Sequence, residues 1–481
     1  MAKRICAKDR PTVDVFTIKA YCMPMKKHGL YMLTFGEMCD RFSYYGLQAI
    51  LVLYLTQVFH FSADQSYGMY GVYAALGFSS PILGGFIADH YLGEKLTVSV
   101  GALLICLGNL FMTQAGLALN EVGIAVLILG TGLFKPSVTS LLGKLYSNQA
   151  GEKTKAYTIF YMGMNAGAIL GPVCFALLIK YLSWHAGFIV SAAGFLASLV
   201  WFLSLAKRWP VTRSTLRLPL LAFIIIALGI LFVFFLLLHP NALGFTLAVI
   251  ALIVALYLAN LLKGQAKPTR HQTQGVLTRM IWGIFFFSAS LQVGSSLTLF
   301  TQTYVNRTVL GWTIPTALIS SLEPLWIILS APFVTVLWSY LQKRNKMPSA
   351  DAKIVLGLLF AAISFVIFYG ACGLSETPQH TALLALLLGN LTLGLGELFI
   401  MPTVMTSVSE NIPDHLQSTM MGLWFLTSGF AGYFASLLSK LSGSPSSSAH
   451  GPENFAYSFM ITAIIMAAAT LFKLLLLIRH K

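Results

Sequence analysis

The sequence predicts an all-α polytopic membrane protein with fourteen transmembrane helices. Of its 481 residues, 57% are hydrophobic and only 10% are charged, whereas a soluble domain carries about 25% charged residues. Apolar runs of roughly 20 residues, the length that spans a bilayer, recur from residue 29 to residue 478. The run at 313–340 is the least regular, because Pro315, Pro324 and Pro332 interrupt it.

Basic residues are distributed unequally between the two sides of the predicted membrane. The chain has 31 Lys and Arg against 16 Asp and Glu, a net charge of +15. Most of the basic residues lie before the first predicted span or after even-numbered spans, whereas the opposite loops hold Lys180, Arg307 and Lys440. By the positive-inside rule, both termini lie in the cytoplasm. The charge therefore reflects topology and contact with anionic lipid, and it does not indicate a nucleic-acid partner.

The predicted spans divide into two groups of six. Residues 1–28 form a basic cytoplasmic arm, residues 29–206 the first six helices and residues 276–478 the last six. Between the groups, residues 207–275 hold two additional helices with basic linkers, and no charged residue occurs from Pro219 to Leu262. We therefore expect this additional pair to face lipid and to act as a spacer.

The sequence gives no pattern for a metal, disulfide or nucleotide site. The six Cys are scattered, and the ten His lie in predicted loops or near span ends. The phosphate-binding pattern G-x-x-x-x-G-K-[ST] does not occur. We therefore expect no metal, no cofactor and no enzyme activity, with a proton gradient as the energy source.

The stretch GGFIADHYLGEKLT, residues 84–97, joins the second and third predicted spans. Gly85, Asp89, Gly93 and Lys95 resemble the cytoplasmic loop signature G-x-x-A-D-x-x-G-x-[KR] of the major facilitator superfamily. The two glycines at its start permit close helix approach, and Asp89 is expected to cap the next helix. Together with the two groups of six helices, the resemblance implies a major facilitator fold with a substrate site near the bilayer midplane.

Six charged residues remain deep in predicted spans: Glu37, Asp40, Arg41, Lys135, Glu323 and Glu397. Each would cost about 2.5–3.5 kcal/mol if it faced lipid at the centre of a helix, so we expect them to pair away from lipid. The first three share one helix face at i, i+3 and i+4, which places Glu37 beside Arg41 and leaves Asp40 for Lys135. Such a network either only fixes packing or, as we favour, loads and releases a proton as a cationic partner moves.

Motifs between residues 30 and 440 resemble those of the proton-dependent oligopeptide transporter (POT) family. GEMCDRFSYYG (36–46) is similar to E-x-x-E-R-F-x-Y-Y-G, with Asp40 in place of the second Glu. Four further segments are similar to motifs of the same family, namely GTGLFKPSVTSLLGKLY (130–146), FYMGMNAGAILGP (160–172), GELFIMP (396–402) and LWFLTSG (423–429).

The resemblance implies a symporter that imports di- and tripeptides with protons by alternating access. It implies a monomeric, multi-pass protein of the bacterial cytoplasmic (inner) membrane. Glu37, Asp40 and Arg41 would handle protons together with Lys135, and Glu397 would hold the peptide amino terminus. The other expected substrate-binding residues are Tyr44, Tyr45, Gln48, Lys135, Asn165, Gln292, Glu323, Trp424 and Ser428.

Three positions depart from the family pattern. Gln48 stands where the family usually has an Arg that takes the peptide carboxylate, and Leu291 where the seventh helix usually has an acid. Because that Arg and that acid can pair, losing both leaves no unpaired buried charge. Glu323 replaces the Asn of the usual L-N-P, so it is either a substrate ligand or a proton-coupling residue. Pro324 and Pro332 predict a kinked helix at this position.

These departures leave other functions open. If all groups are ionised, the expected site residues hold two cations and four acids, one negative charge more than the usual family pocket. The same fold could therefore carry a basic amine, a drug-like cation or a peptide-derived metallophore, and could export it. A membrane enzyme, or a receptor that binds without transporting, is a third class.

Overall fold

The computed structural model describes residues 15–114, 116–146, 150–206, 219–374, 381–443 and 452–479. These residues form fifteen α-helices: α1 Val15–Gln57, α2 Ala63–Ile87, α3 Glu94–Phe111, α4 Leu117–Leu145, α5 Ala150–Tyr181, α6 Ala186–Ala206, α7 Pro219–Leu238, α8 Ala242–Lys263, α9 Lys267–Ser290, α10 Ser296–Tyr304, α11 Leu322–Lys343, α12 Ala350–Leu374, α13 Thr381–Asn411, α14 Asp414–Lys440 and α15 Glu453–Arg479.

Shorter elements lie between some of these helices. A π-helical segment, Ala88–Leu92, continues α2, and a 3₁₀ segment, Leu291–Gly294, separates α9 from α10. A second 3₁₀ segment, Thr316–Ser321, precedes α11. The strands β1 (Thr308–Val309) and β2 (Trp312–Thr313) form a small antiparallel hairpin.

Thirteen of the described helical segments are long and apolar enough to cross a membrane. One of them, Lys267–Tyr304, combines α9, the 3₁₀ segment and α10. α1 has 43 residues but is not among the thirteen, because Glu37, Asp40 and Arg41 interrupt its apolar sequence. Counted with α1, the helices confirm the prediction of an all-α polytopic protein with fourteen transmembrane helices.

Unit 1 is one of two compact units and comprises the described residues up to Leu47 together with Ser79–Phe235. Its helices approach closely where they carry glycine. A Cβ on Gly84 of α2 would lie 2.8 Å from the Cα atom of Leu133 on α4, and one on Gly101 of α3 would lie 2.9 Å from the Gly130 carbonyl oxygen. Larger side chains at Gly84 and Gly101 would therefore separate these helices.

Unit 2 comprises Gln48–Phe78 and the described residues from Leu236 onward. Its core is rich in aromatic side chains where α12 packs against α15. The rings of Phe365 and Phe368 lie 6.0 and 6.1 Å from the ring of Phe459, and all three side chains are buried to within 1% of their surface. Such contacts give this unit a rigid support for its polar residues.

The two additional helices pack on different units. In unit 1, Ala222 and Ile226 of α7 join a buried cluster with Leu133 of α4. In unit 2, Gly244 of α8 lies against the ring of Tyr433 on α14. α8 leaves large apolar side chains exposed, Phe245 to 77%, which suits contact with lipid tails.

The predicted loop signature lies at the junction of α2 and α3. Asp89 is exposed within the π-helical segment, and Lys95 lies in the first turn of α3. The prediction that Asp89 caps α3 is wrong, because the N-cap is Gly93, whose φ of +73° favours glycine. The neighbouring Glu94 makes the polar contacts instead: Lys144 of α4 pairs with its carboxylate, and the Ser140 hydroxyl donates to it at 3.3 Å. A Cβ on Gly85 would lie 3.8 Å from Pro136 Cβ, an ordinary contact distance, so Gly85, in contrast to Gly84, is not needed for close helix packing.

The helix that carries Glu323 begins one residue before it, so the expected kink lies at a helix start. α11 starts at Leu322, so Glu323 and Pro324 lie in its first turn. Pro is tolerated in the first turn because the first N–H groups of a helix have no intrahelical partner, and a carboxylate there meets the positive end of the helix dipole. The expected kink at Pro324 is therefore a helix start, while Pro332 does lie inside the helix.

Candidate functional site

The polar face of α1 forms the centre of a charge cluster in unit 1. Arg41 Nε lies 3.2 Å from Glu37 Oε1, and Lys135 Nζ of α4 lies 3.3 Å from Asp40 Oδ2. Glu37 and Asp40 are 2% and 1% exposed. Both pairings agree with those expected from the i, i+4 spacing and from the unmatched Asp40. The cluster therefore keeps two carboxylates and two cations in a low-dielectric surrounding.

The acids of this cluster retain bonding capacity. Among the described residues, Asp40 Oδ1 and Glu37 Oε2 are buried without a hydrogen-bond partner. A carboxylate accepts several hydrogen bonds when ionised and donates one when protonated. Each acid therefore has hydrogen-bonding capacity that the described residues do not use.

Tyr44 and Tyr45 continue the polar face by one turn. Lys135 Nζ lies 4.5 Å from the centre of the Tyr44 ring, a distance at which a cation is attracted to an aromatic face. The rings of Tyr44 and Tyr45 meet edge to face at 5.3 Å. The ammonium group of Lys135 therefore has an aromatic partner in addition to Asp40.

Asn165 lies on α5, which packs against α1 through glycine. A Cβ on Gly167 would lie 2.9 Å from Arg41 Cβ, and one on Gly171 would lie 3.0 Å from the Gly46 nitrogen. These contacts explain the spacing of small residues in NAGAILG. The Asn165 amide donates to the Tyr161 carbonyl of its own helix at 2.9 Å, so its predicted substrate role stays a prediction.

Unit 2 brings two glutamates together, Glu323 in a buried position and Glu397 in a half-buried one. The carboxyl groups of Glu323 on α11 and Glu397 on α13 lie close enough to interact with each other. Ser290, the last residue of α9, donates its hydroxyl hydrogen to Glu323 Oε1 at 2.8 Å. Glu323 is 8% exposed. Two neighbouring carboxyl groups can hydrogen-bond to each other only when one of them carries a proton, so this arrangement is suited to sharing a single proton.

Glycine brings the two glutamates together. A Cβ on Gly394 of α13 would lie 3.1 Å from the Glu323 carbonyl oxygen and 3.4 Å from Trp326 Cβ. α13 therefore approaches the first turn of α11 closely, three residues before Glu397. The glycines of GLGELF thus have a packing reason beside their likeness to a family motif.

The other predicted residues of unit 2 are buried and packed. Gln292 is fully buried in the 3₁₀ segment, where its Nε2 donates to Thr462 Oγ1 of α15 at 3.1 Å and its Oε1 accepts from Ser296 at 3.3 Å. Trp424 of α14 is 1% exposed and packs on Gly283 of α9. Ser428 is buried one turn later. These contacts give Gln292 and Trp424 structural roles, and their substrate roles stay predictions.

Gln48 belongs to unit 2 and not to the charge cluster that precedes it on α1. Its Nε2 lies 3.2 Å from the Tyr70 hydroxyl of α2, and that hydroxyl donates to the Leu291 carbonyl oxygen at 2.8 Å. The backbone of Leu291 is thus a hydrogen-bond partner, although its side chain has lost the acid of the family pattern. The neutral Tyr70 hydroxyl therefore connects Gln48 and Leu291, the two positions at which the family pattern has an Arg and an acid.

Sequence reasoning missed three polar residues of this arrangement: Tyr70, Ser290 and Glu94. Tyr67, Tyr70 and Tyr73 recur every three residues on one face of α2, a pattern that could have indicated a polar contact but is more typical of a helix core. Ser290 and Glu94 gave no signal, because each finds its partner only through tertiary packing.

Comparisons with known proteins agree with this architecture. The sequence profile of the Major Facilitator Superfamily matches residues 33–437. The chain is 30% identical over 454 residues to the peptide transporter YePEPT of Yersinia enterocolitica, covering 86% of this chain and 87% of that protein. It is 26% identical over 419 residues to dipeptide and tripeptide permease B of Salmonella typhimurium, covering 84% and 86%.

Solved structures of peptide transporters share the fold. A peptide transporter POT in complex with sulfate superposes with a TM-score of 0.80 at 27% identity and 94% coverage of each chain. A mutant solved with alafosfalin gives a TM-score of 0.81 at 27% identity, again with 94% coverage of each chain. A chain with these relatives, this fold and these motifs belongs to the major facilitator superfamily and, within it, to the proton-dependent oligopeptide transporters, as a member that is atypical at Gln48, Leu291 and Glu323.

Proposed function

We propose that this protein is a symporter that imports di- and tripeptides, or peptide-like compounds, together with protons by alternating access. The peptide cargo is supported by the relatives, of which one is named a peptide transporter and another a dipeptide and tripeptide permease. The proton coupling is carried by one observation, the burial of Glu37 and Asp40 against Arg41 and Lys135. Cargo and coupling therefore rest on separate evidence.

In this proposal, Asp40 and Glu37 exchange protons as their cationic partners move. When Lys135 leaves Asp40, the carboxylate remains in a low-dielectric surrounding, where a bound proton replaces the lost cation. The Tyr44 ring, 4.5 Å from Lys135 Nζ, retains part of the attraction on the ammonium group during that exchange. Arg41, 3.2 Å from Glu37, opposes the protonation of that carboxylate until it moves in turn. Tyr44, Tyr45 and Asn165 are the residues of unit 1 that we assign to substrate contact.

The Glu323–Glu397 pair receives the substrate amino terminus in this proposal. We propose that the two carboxyl groups share one proton before the substrate binds; an ammonium group, which carries three donors and a full charge, can replace that proton. Glu397 then makes a charge-assisted hydrogen bond to the substrate. Glu323 combines the two roles that the sequence left as alternatives, because its proton leaves when the substrate binds. Gln48, Gln292, Trp424 and Ser428 complete the assigned substrate contacts.

The cellular setting follows from the same family assignment. The protein is a multi-pass membrane transporter, and we propose the bacterial cytoplasmic membrane, cytoplasmic termini and a monomer. We further propose that the proton gradient alone drives transport, without cofactor, metal or nucleic acid. The named relatives do not favour the second cargo class, the basic amines, drug-like cations and metallophores, over peptides.

Uptake by reconstituted protein tests this function. Proteoliposomes with an inward proton gradient should accumulate labelled Ala-Ala, and a protonophore should abolish the accumulation. Excess unlabelled tripeptide should compete, whereas spermidine should not. Liposomes that carry the Lys135→Ala variant provide the control for leakage. Competition by spermidine with no accumulation of Ala-Ala would replace peptides by a cationic cargo.

A further inference from the structure

Two helices continue from one unit into the other. The first part of α1, to Leu47, and the second part of α2, from Ser79, belong to unit 1, whereas Gln48–Phe78 belongs to unit 2. We call Gln48–Phe78 the outer hairpin, because its turn lies at the end of α1 opposite the N-terminus. By the positive-inside rule, this end faces away from the cytoplasm. The outer hairpin therefore either moves with the helices that it continues or stays with the unit that it contacts.

The part of the outer hairpin next to its turn, Asp64–Tyr67, contacts the end of α14 and the residues just after it. We call this part the rim. Ser436 donates its hydroxyl hydrogen to the Tyr67 carbonyl at 2.6 Å, and the hydroxyls of Tyr67 and Ser442 lie 3.1 Å apart. Lys440 Nζ lies 3.5 Å from Asp64 Oδ1. Asp64 is largely exposed, so this ion pair contributes little in water. The rim is therefore held mainly by hydroxyl groups.

Deeper along the outer hairpin, Tyr70 connects two further positions. Its hydroxyl has one hydrogen, which is donated to the Leu291 carbonyl at 2.8 Å. The 3.2 Å contact with Gln48 must then have the amide Nε2 as donor. This assignment leaves Gln48 Oε1 facing away from Tyr70, and that oxygen is buried without a hydrogen-bond partner among the described residues. Tyr70 is fully buried, and its hydroxyl contacts both Gln48 and the Leu291 carbonyl.

We propose that the Tyr70 hydroxyl is the closing contact of a neutral latch that holds the outer hairpin on the 3₁₀ segment after α9, and that its release opens the transport path on that side. The proposal rests on the transport function above. It makes Tyr70 a positioning residue, because the hydroxyl fixes Gln48 and the outer hairpin without being assigned to the substrate. The latch uses neutral groups at the two positions where the family pattern has an Arg and an acid.

A neutral latch suits repeated opening. Breaking an ion pair in a buried surrounding leaves two uncompensated charges, whereas breaking the Tyr70–Leu291 hydrogen bond leaves a hydroxyl and a carbonyl group. This bond is expected to favour the closed state by about fivefold. Tyr70→Phe removes the bond and retains the ring, so it should raise the ratio of open to closed protein by about fivefold.

Distances between spin labels can test the latch in the absence of substrate. Gln57→Cys at the end of α1 and Tyr457→Cys at the start of α15 provide two exposed label positions, in a background whose native cysteines have been replaced. Double electron–electron resonance on the reconstituted protein should show a longer distance whose population rises in Tyr70→Phe. Tyr369→Phe makes the same chemical change at a side chain 46% exposed in unit 2, and it should match the parent.

A second variant keeps the hydroxyl but displaces it. A Cβ on Gly294 would lie 2.6 Å from the Tyr70 hydroxyl oxygen, so Gly294→Ala should push the ring from its acceptor and shift the distances in the same direction. A distribution unchanged in Tyr70→Phe, or changed equally in Tyr369→Phe, overturns the latch. If Tyr70→Phe does not fold, an unchanged Gly294→Ala distribution overturns it. The measurement needs neither peptide nor gradient, so failure to transport Ala-Ala would refute the proposed function separately.

Discussion

The shared proton of Glu323 and Glu397 gives the sharpest prediction. Glu323→Gln keeps the shape of the side chain, an oxygen to accept from Ser290 and an N–H to donate to Glu397. It removes one ionisable group and holds the pair at a single negative charge, the state of two carboxyl groups that share one proton. Binding of a peptide ammonium to the parent should release one proton, and binding to the variant should release none.

The size of the effect follows from the geometry. If both groups were ionised, two neighbouring carboxylates would repel each other by about 4 kcal/mol at ~4 Å and an effective dielectric of ~20. The proton is therefore expected to stay until a cation arrives. Since one proton competes with one ammonium group, the apparent affinity of the parent should rise about tenfold per pH unit through the range in which the pair is protonated. The variant should lose this dependence.

Calorimetry in two buffers with different ionisation enthalpies counts the protons released on binding. Ala-Ala should be titrated between about pH 5.5 and 7, where its own amino group, with a pKa of about 8, stays charged. Glu410→Gln removes the same charge from an exposed residue of α13 and should retain the parent's proton release. Equal proton release from Glu323→Gln and the parent would refute the shared-proton reasoning. Weaker binding with unchanged proton release would instead make Glu323 a substrate ligand alone.

Three further results are expected. Glu37→Gln and Lys135→Ala should each abolish gradient-driven uptake, because the cluster loses a charge that responds to protons. Peptide counterflow, measured without a gradient, should survive in Glu37→Gln. Full gradient-driven uptake by both variants would show that the cluster does not couple transport to protons. Glu397→Gln should weaken Ala-Ala binding by about 10- to 100-fold, because it removes a charge-assisted hydrogen bond of about 1.5–3 kcal/mol. If calorimetry finds an unchanged affinity, the peptide amino group is bound by Glu323 instead. Gln48→Arg should destabilise the protein more than Gln48→Arg combined with Leu291→Glu, because the single change leaves a buried cation unpaired; thermal unfolding of both in detergent compares them.

The parts of the site that depend on local spacing could be predicted from the sequence. Glu37 and Arg41 lie one turn apart on α1, so their pairing follows from helix geometry, and Asp40 then needed a cation that only Lys135 could supply at that depth. The helical class was equally accessible, because apolar runs of bilayer length leave few alternatives.

Contacts between distant elements could not be predicted in this way. The meeting of Glu323 and Glu397 depends on the close approach of α13 at Gly394, and no spacing in the chain encodes that contact. The start of α11 was mistaken for a kink, because the apolar residues on both sides of Pro324 conceal the preceding 3₁₀ segment. The role of Tyr70 could not be predicted, because a buried tyrosine on a helix face is usually part of the core.

Two consecutive residues connect the glutamate pair to the latch. The Ser290 hydroxyl donates to Glu323, and the carbonyl of the next residue, Leu291, accepts from Tyr70. A shift of the chain at this break between α9 and α10 changes both hydrogen bonds, so proton release at Glu323 and opening at Tyr70 should be energetically coupled. Spin-label populations of Tyr70→Phe, Glu323→Gln and the double variant form a cycle, and residues that share a backbone element typically interact by about 0.5–3 kcal/mol. An additive cycle would separate the two sites and leave Leu291 as a passive acceptor.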